Sequence, residues 1–117
     1  MKIIVLNLRN NIKKVGTINF GFHEKTGFIN NIIVDKNERK NGFGTELLKL
    51  SEESLKNIYK VDHIKLCAWN SIYSYSSNLD FYIKNGYEIN GETTYYDDES
   101  EIFEIQGLIK NLHVVVE

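Results

Sequence analysis

The amino-acid sequence predicts an α/β layer fold with a mixed, mostly antiparallel sheet. Two observations carry that prediction. The first 34 residues hold three strand-like apolar runs joined by short connections. From Gly44 the apolar period changes to that of a helix, and strand-like and helix-like runs then alternate up to a final pair of strand-like segments. Helices that connect strands must cover the faces of the sheet, so the order β-β-β-α-β-α-β-β implies layers with helices on both faces.

Each element has its own signal. "KIIVLNL", residues 2–8, is a β-branched and aliphatic run. "VGTINFGFH", 15–23, alternates, with Ile18, Phe20 and Phe22 on one face. "EKTG", 24–27, reads as a turn, and "FINNIIV", 28–34, as a third strand, so these three form an antiparallel meander. Between Gly44 and Tyr59, Leu47, Leu48, Leu55 and Ile58 fall on one helical face, away from Glu46, Lys49, Glu53 and Lys56. "HIKLCAW", 63–69, is a short strand with Ile64, Leu66 and Ala68 on one side. "SSNLDFYIKNG", 76–86, reads as a second helix, capped by Ser74, Ser76 or Ser77 and ended by Asn85-Gly86. "YEINGETTYY", 87–96, and "EIFEIQGLI", 101–109, form a last hairpin around the acidic turn "DDES". The tail "NLHVVVE" fits either an edge strand or a loose end.

Length and charge narrow the function classes. A chain of 117 residues is near the usual size of one domain, so a single domain over 1–117 is expected. The net charge of −2, with lysines scattered, argues against a nucleic-acid partner, which calls for a basic surplus or stripe. Cys67 is the only cysteine, so neither an internal disulfide nor a thiolate zinc site can form. His23, His63 and His113 lack metal-ligand spacing, and no metal is expected. The apolar run "IIVL" near the N-terminus is too short for a signal peptide, and no stretch approaches the roughly 20 apolar residues of a membrane span. No membrane partner and a cytoplasmic location are therefore expected.

The segment "VDKNERKNGFGTELLKL", 34–50, raises a chemical question. Arg39, Gly42 and Gly44 are spaced R-x-x-G-x-G just where a helix begins. A helix N-terminus offers free N–H groups and partial positive charge, and glycines before it let a phosphate approach without meeting a Cβ. The amides of Lys40, Asn41, Gly42, Phe43, Gly44 and Thr45 would face such a group, with Arg39 and Lys40 adding charge. The other reading is a tight turn that caps the helix. By composition the hexamer arises by chance in roughly one such chain in twenty. It is neither a dinucleotide fingerprint, which needs a third glycine where Leu47 stands, nor a Walker loop, which needs Gly-Lys-Ser/Thr.

Taken with a second segment, the stretch resembles the GNAT family of N-acetyltransferases. The family signature is a strand ending in V-x-P, followed by R/Q-x-x-G-x-G/A opening a long helix, which "NIIVDKNERKNGFGTELL" is similar to throughout. Its later F/L-Y-x-x-x-G-F/Y segment is matched by "FYIKNGYEI", 81–89. The resemblance spans roughly residues 1–110. It implies acetyl transfer from acetyl-CoA to an amine by direct attack. The backbone of Ile32, Ile33 and Val34 would pair with the pantetheine arm as an added strand, with the strands ending at Val34 and starting at His63 splayed apart. Residues 39–45 would hold the pyrophosphate. Tyr82 would protonate the departing CoA thiolate.

The chain also departs from the family pattern. It begins at the family's second strand, without the usual first strand and two helices, so the acceptor side is either open or completed by a second subunit in a homodimer. Tyr75 stands where an Asn commonly contacts the cofactor, leaving Asn70 or Asn78 as substitutes. Phe28 and Cys67 occupy the region of the glutamate bases seen in some members, and Lys36 replaces the usual Pro. The acceptor would be a small-molecule or peptide amine. The alternative from another class is a non-catalytic acyl-CoA-binding sensor or interaction module.

Other residues have ordinary readings beside functional ones. His23 at a hairpin end reads as a surface histidine or as a base for the amine. Cys67 reads as core packing or as a nucleophile, and Trp69 as packing or pocket lining. "YYDDESE", 95–101, is a solvated turn or an attractor of cationic amines.

Overall fold

A computed structural model describes residues 1–71, 78–99 and 101–112. The strands β1 (Lys2–Arg9), β2 (Lys14–His23), β3 (Thr26–Val34), β4 (His63–Ser71), β5 (Glu88–Asp98) and β6 (Glu101–Asn111) form a mixed, mostly antiparallel sheet. Helices α1 (Phe43–Asn57) and α2 (Asn78–Lys84) connect β3 to β4 and β4 to β5, and a 3-10 turn covers Lys36–Glu38. The chain divides into two compact units, Met1–Ile64 with Asn111 and Leu112, and Lys65–Lys110.

The first unit is the expected meander with α1 packed on it. β1 and β2 pair antiparallel from Lys2↔Phe22 to Arg9↔Lys14, and β2 and β3 from His23↔Thr26 to Gly16↔Val34. Ile18, Phe20 and Ile29 lie at or below 6% exposure, and Leu47, Leu48 and Leu55 of α1 at 0%. Each such side chain contributes about 1.5–3 kcal/mol by leaving water, which is what holds the helix on the sheet. Gly16 makes the close approach possible. A Cβ there would lie 2.9 Å from Leu47 Cδ1 and 3.1 Å from the Ile33 carbonyl oxygen. The β2–β3 ladder contains a bulge: Asn19 faces Asn31 while Phe20 faces Ile29, so Asn30 is an extra residue in β3. Beyond it, Ile32 and Val34 lie opposite Ile18 and Gly16, whereas Ile33 lies opposite Thr17 on the other face and is 56% exposed.

Two expectations need correction in this unit. The turn at 24–27 is shorter than expected, because Thr26 and Gly27 already pair with His23 and Phe22, leaving Glu24 and Lys25 to turn. Ile58 is not part of the apolar helix face; it is 67% exposed, one residue past the end of α1. The helix closes there because Lys60 is left-handed (φ 56°) and the Val61 amide donates to the Leu55 carbonyl at 2.9 Å. The buried stripe is completed by Ser51 and Glu52, and Ser51 Oγ donates back to the Leu48 carbonyl.

In the second unit the strand order is β4-β6-β5. Ile64, Leu66 and Ala68 are buried, as expected from their alternation along β4. Cys67, expected in the core, is exposed, because it points to the opposite side of the strand from those three. α2 is described from Asn78 to Lys84, and its proposed caps Ser74, Ser76 and Ser77 lie outside the described residues. The stop at Asn85-Gly86 is as expected: Gly86 has φ +92° and its amide donates to the Ile83 carbonyl. The acidic turn is also shorter, since Asp97 and Asp98 are strand residues paired with Ile102 and Glu101. A register shift between Ile89 and Thr93 is held by Gln106, which is buried, accepts from the Thr93 hydroxyl and donates to the Gly91 carbonyl.

Candidate functional site

The segment from Ile32 to Thr45 belongs to the first unit and is continuous there. Val34 ends β3, and the Asp35 amide extends the pairing by donating to the Val15 carbonyl at 2.8 Å. Asp35 caps the 3-10 turn by accepting from the Asn37 amide. Its carboxylate also accepts from Lys13 Nζ at 3.0 Å, and Glu38 lies 3.8 Å from the same ammonium. The Lys13 hydrogen bond, followed by that from the Asn37 amide, holds Asp35 below the usual carboxylate range. The hydrogen bond and charge of Asp35 raise Lys13. Sequence reasoning missed this pair, because nothing local links residues 22 positions apart.

After the 3-10 turn the chain bends sharply. Lys40 is left-handed (φ 70°) and so is Gly42 (φ 80°), the residue that opens α1. Asn41 ties the bend by donating to the Glu38 carbonyl at 3.3 Å. No side chain caps α1 at Gly42, and its own ladder begins with the Glu46 amide donating to the Gly42 carbonyl. The amides of Phe43, Gly44 and Thr45 precede that first bond and point out along the axis. A Cβ built on Gly42 meets no atom within 4 Å among the described residues, so the space beside the residue that opens the helix is open. Arg39, Lys40, Asn41 and Gly42 are exposed. An uncapped helix start, open space beside it and two exposed cations suit a phosphate-bearing group. A groove of about 340 Å³, lined by Lys14, Val15, Gly16, Thr17, Ile33 and Asp35, runs beside the end of β3.

Tyr82 lies in the second unit, on the last turn of α2. It is half-buried, and its ring meets Phe81 edge-on at 5.2 Å and Tyr87 at 5.7 Å. Burial pushes its phenol above the ordinary value, so it is a protonated donor throughout the neutral range. Asn70 and Asn78 tie the start of α2 to the end of β4: Asn70 Oδ1 accepts from the Asn78 amide at 2.8 Å, and Asn78 Nδ2 donates to the Trp69 carbonyl. His63 shares a 3.2 Å hydrogen bond with Thr26, and His23 is exposed beside Glu24. His113 lies outside the described residues. Among the described residues no three His, Cys, Asp or Glu side chains are placed to hold a metal ion, and no helix is long and apolar enough to cross a membrane.

A family model described as an acetyltransferase (GNAT) domain matches residues 2–89. The chain belongs to the GNAT family. Its fold is that of solved GNAT acetyltransferases. The ribosomal-protein-S18-alanine N-acetyltransferase of Escherichia coli superposes with a TM-score of 0.79 at 16% identity, over 98% of this chain and 72% of that one. An aminoglycoside 6'-N-acetyltransferase complexed with coenzyme A gives 0.76 at 17% identity, over 98% and 76%. A GNAT family acetyltransferase from Elizabethkingia anophelis with acetyl-CoA bound gives 0.72 at 20% identity, over 92% and 74%. Comparison with curated proteins gave no significant match. At these identities the superpositions speak for the GNAT fold and leave the acceptor unnamed.

Proposed function

We propose that this GNAT protein transfers an acetyl group from acetyl-CoA to a primary amine by direct attack. The observation that carries the proposal is the start of α1: Gly42 is left-handed, nothing among the described residues occupies the space where its Cβ would be, and the helix has no side-chain cap there. In this reading the amides of residues 40–45, with Arg39, hold the pyrophosphate of CoA, and the backbone of Ile32, Ile33 and Val34 pairs with the pantetheine arm. Structures of GNAT neighbours complexed with coenzyme A or acetyl-CoA support that ligand.

The chemistry then needs three things. The amine must be neutral, so its ammonium form, with a reference pKa of about 10.4 for a Lys-like amine, first gives a proton to water. The amine nitrogen attacks the thioester carbonyl carbon while a backbone amide near Val34 stabilises the oxygen. The carbon–sulfur bond then breaks, the thiolate takes the phenol proton of Tyr82, and the extra proton on the nitrogen is relayed through water to the phenolate, which restores the phenol. The products are an amide and the free thiol of CoA.

The test is a panel of amines incubated with acetyl-CoA, with thiol release and product mass recorded together. Thiol release matched by an acetylated amine supports the proposal. Binding of acetyl-CoA with no turnover of any amine would instead support the non-catalytic acyl-CoA sensor.

A further inference from the structure

One surface of the second unit has no role in the account above. Trp69 on β4 meets Tyr96 of β5 and Phe103 of β6, with ring centroids 5.8 Å apart in both pairs and tilted at 54° and 58°. These are large apolar rings, yet Trp69 is 47% exposed and Tyr96 52% exposed. Tyr96 and Phe103 are direct cross-strand partners, so they share a face of the hairpin. Two residues further along the same face comes the next such pair, Asp98 and Glu101.

That pair is unusual in its own right. Like charges directly opposite on two strands repel. Between Glu88 and Glu104 the sequence has seven carboxylates and no Lys, Arg or His to offset them. Among the described residues neither Asp98 nor Glu101 forms an ion pair. Lys65, on the same exposed side of β4, lies four residues before Trp69, about 13 Å away by strand rise. Exposed aromatic faces and an uncompensated carboxylate pair on one surface are complementary to one kind of ligand. A substituted ammonium group gains from the ring quadrupoles and from the carboxylates together, and a neutral or anionic group gains from neither.

We propose that Trp69, Tyr96 and Phe103, with Asp98 and Glu101, form a subsite for a substituted ammonium group. Resting on the acetyl-transfer reading, the amine that this protein acetylates then carries a second cationic centre, which this subsite recognises.

Trp69 is the only tryptophan in the chain, so its fluorescence reports this surface alone. Choline is the probe, with 3,3-dimethylbutan-1-ol as its neutral isostere and sodium chloride as the ionic-strength control. A saturable fluorescence change with choline, absent with both controls, is expected. Tyr96→Leu and the double change Asp98→Asn/Glu101→Gln should each weaken it at least about fivefold. All three positions are on an exposed hairpin, and unchanged circular dichroism would show that the variants fold. A choline response no greater than that of the isostere, or one unchanged in both variants, would overturn the subsite. The binding experiment contains no acetyl-CoA, so its result is independent of transfer. In the kinetic experiment, Tyr96→Leu should raise KM for a diamine about fivefold and leave KM for a monoamine of equal length unchanged. Equal effects on both amines would overturn the role in acceptor choice, whereas no turnover with either would count against acetyl transfer and leave the choline result standing.

Discussion

Lys13 and Asp35 are 22 residues apart in the chain, and their side chains meet at 3.0 Å. The contact fastens the residues just before β2 to the segment that leads from β3 into α1, and so fixes where the candidate phosphate loop starts.

The pair has a defined pH window. Asp35 is held below its ordinary value of 3.8, so its contribution is present above that pH and is lost as the pH falls through the lowered value. Lys13 is raised above 10.5, so its contribution is present below that pH and is lost as the pH rises through the raised value. Carboxyl-carbon NMR should show Asp35 titrating below 3.8, and Lys13→Met should move it back up. An unchanged midpoint in Lys13→Met would mean that the contact does not persist in solution.

The α1 start makes the cofactor prediction. Gly44→Asp places a carboxylate in the first turn, where the phosphate is proposed to sit, and acetyl-CoA affinity should fall at least about tenfold. Calorimetry on a folded Gly44→Asp variant with normal affinity would remove the phosphate site.

Tyr82→Phe deletes one oxygen and little volume. If the phenol protonates the thiolate, kcat should fall by about 10² to 10⁴ while acetyl-CoA affinity changes little. The same variant has a spectroscopic readout. Because burial raises the Tyr82 phenol, the ultraviolet titration should lose amplitude above pH 10, on the late side of the tyrosine transition. A variant with near-normal kcat, measured where chemistry is limiting, would take Tyr82 out of the reaction.

Leu48 tests the packing of α1. Its side chain is fully buried, so Leu48→Ala should cost about 2–5 kcal/mol in a denaturant titration. A loss well under 1 kcal/mol would mean that the helix is not seated on the sheet as described.

Much of this architecture was legible because it rests on periodicity. The meander, α1 and the last hairpin follow from runs of period two and period 3.6, which burial on one side imposes on any sequence. Cys67 was misread as core although the same alternation places it outside: if Ile64, Leu66 and Ala68 face inward, a residue between them faces out. The end of α1 was not legible, because Lys60 rather than a glycine takes the left-handed position and Ile58 continues the apolar pattern past the last turn. Gly42 and Gly44 marked the loop as special, but the Lys13–Asp35 contact that anchors it depends on tertiary folding and left no local trace.

The extra residue at Asn30 bears on how the chain avoids a near-correct fold. Sliding β3 by two residues along β2 keeps every side chain on its proper face, so the alternation of apolar and polar residues does not forbid it. A bulge does, because two residues opposite one fit at a single point of the ladder. With Asn30 facing Phe20 together with Ile29, only one alignment brings Val34 to Gly16. Removing Asn30 would leave a regular strand free to choose between competing alignments, and the loop that begins after Val34 would be carried two residues off its place in some of the molecules.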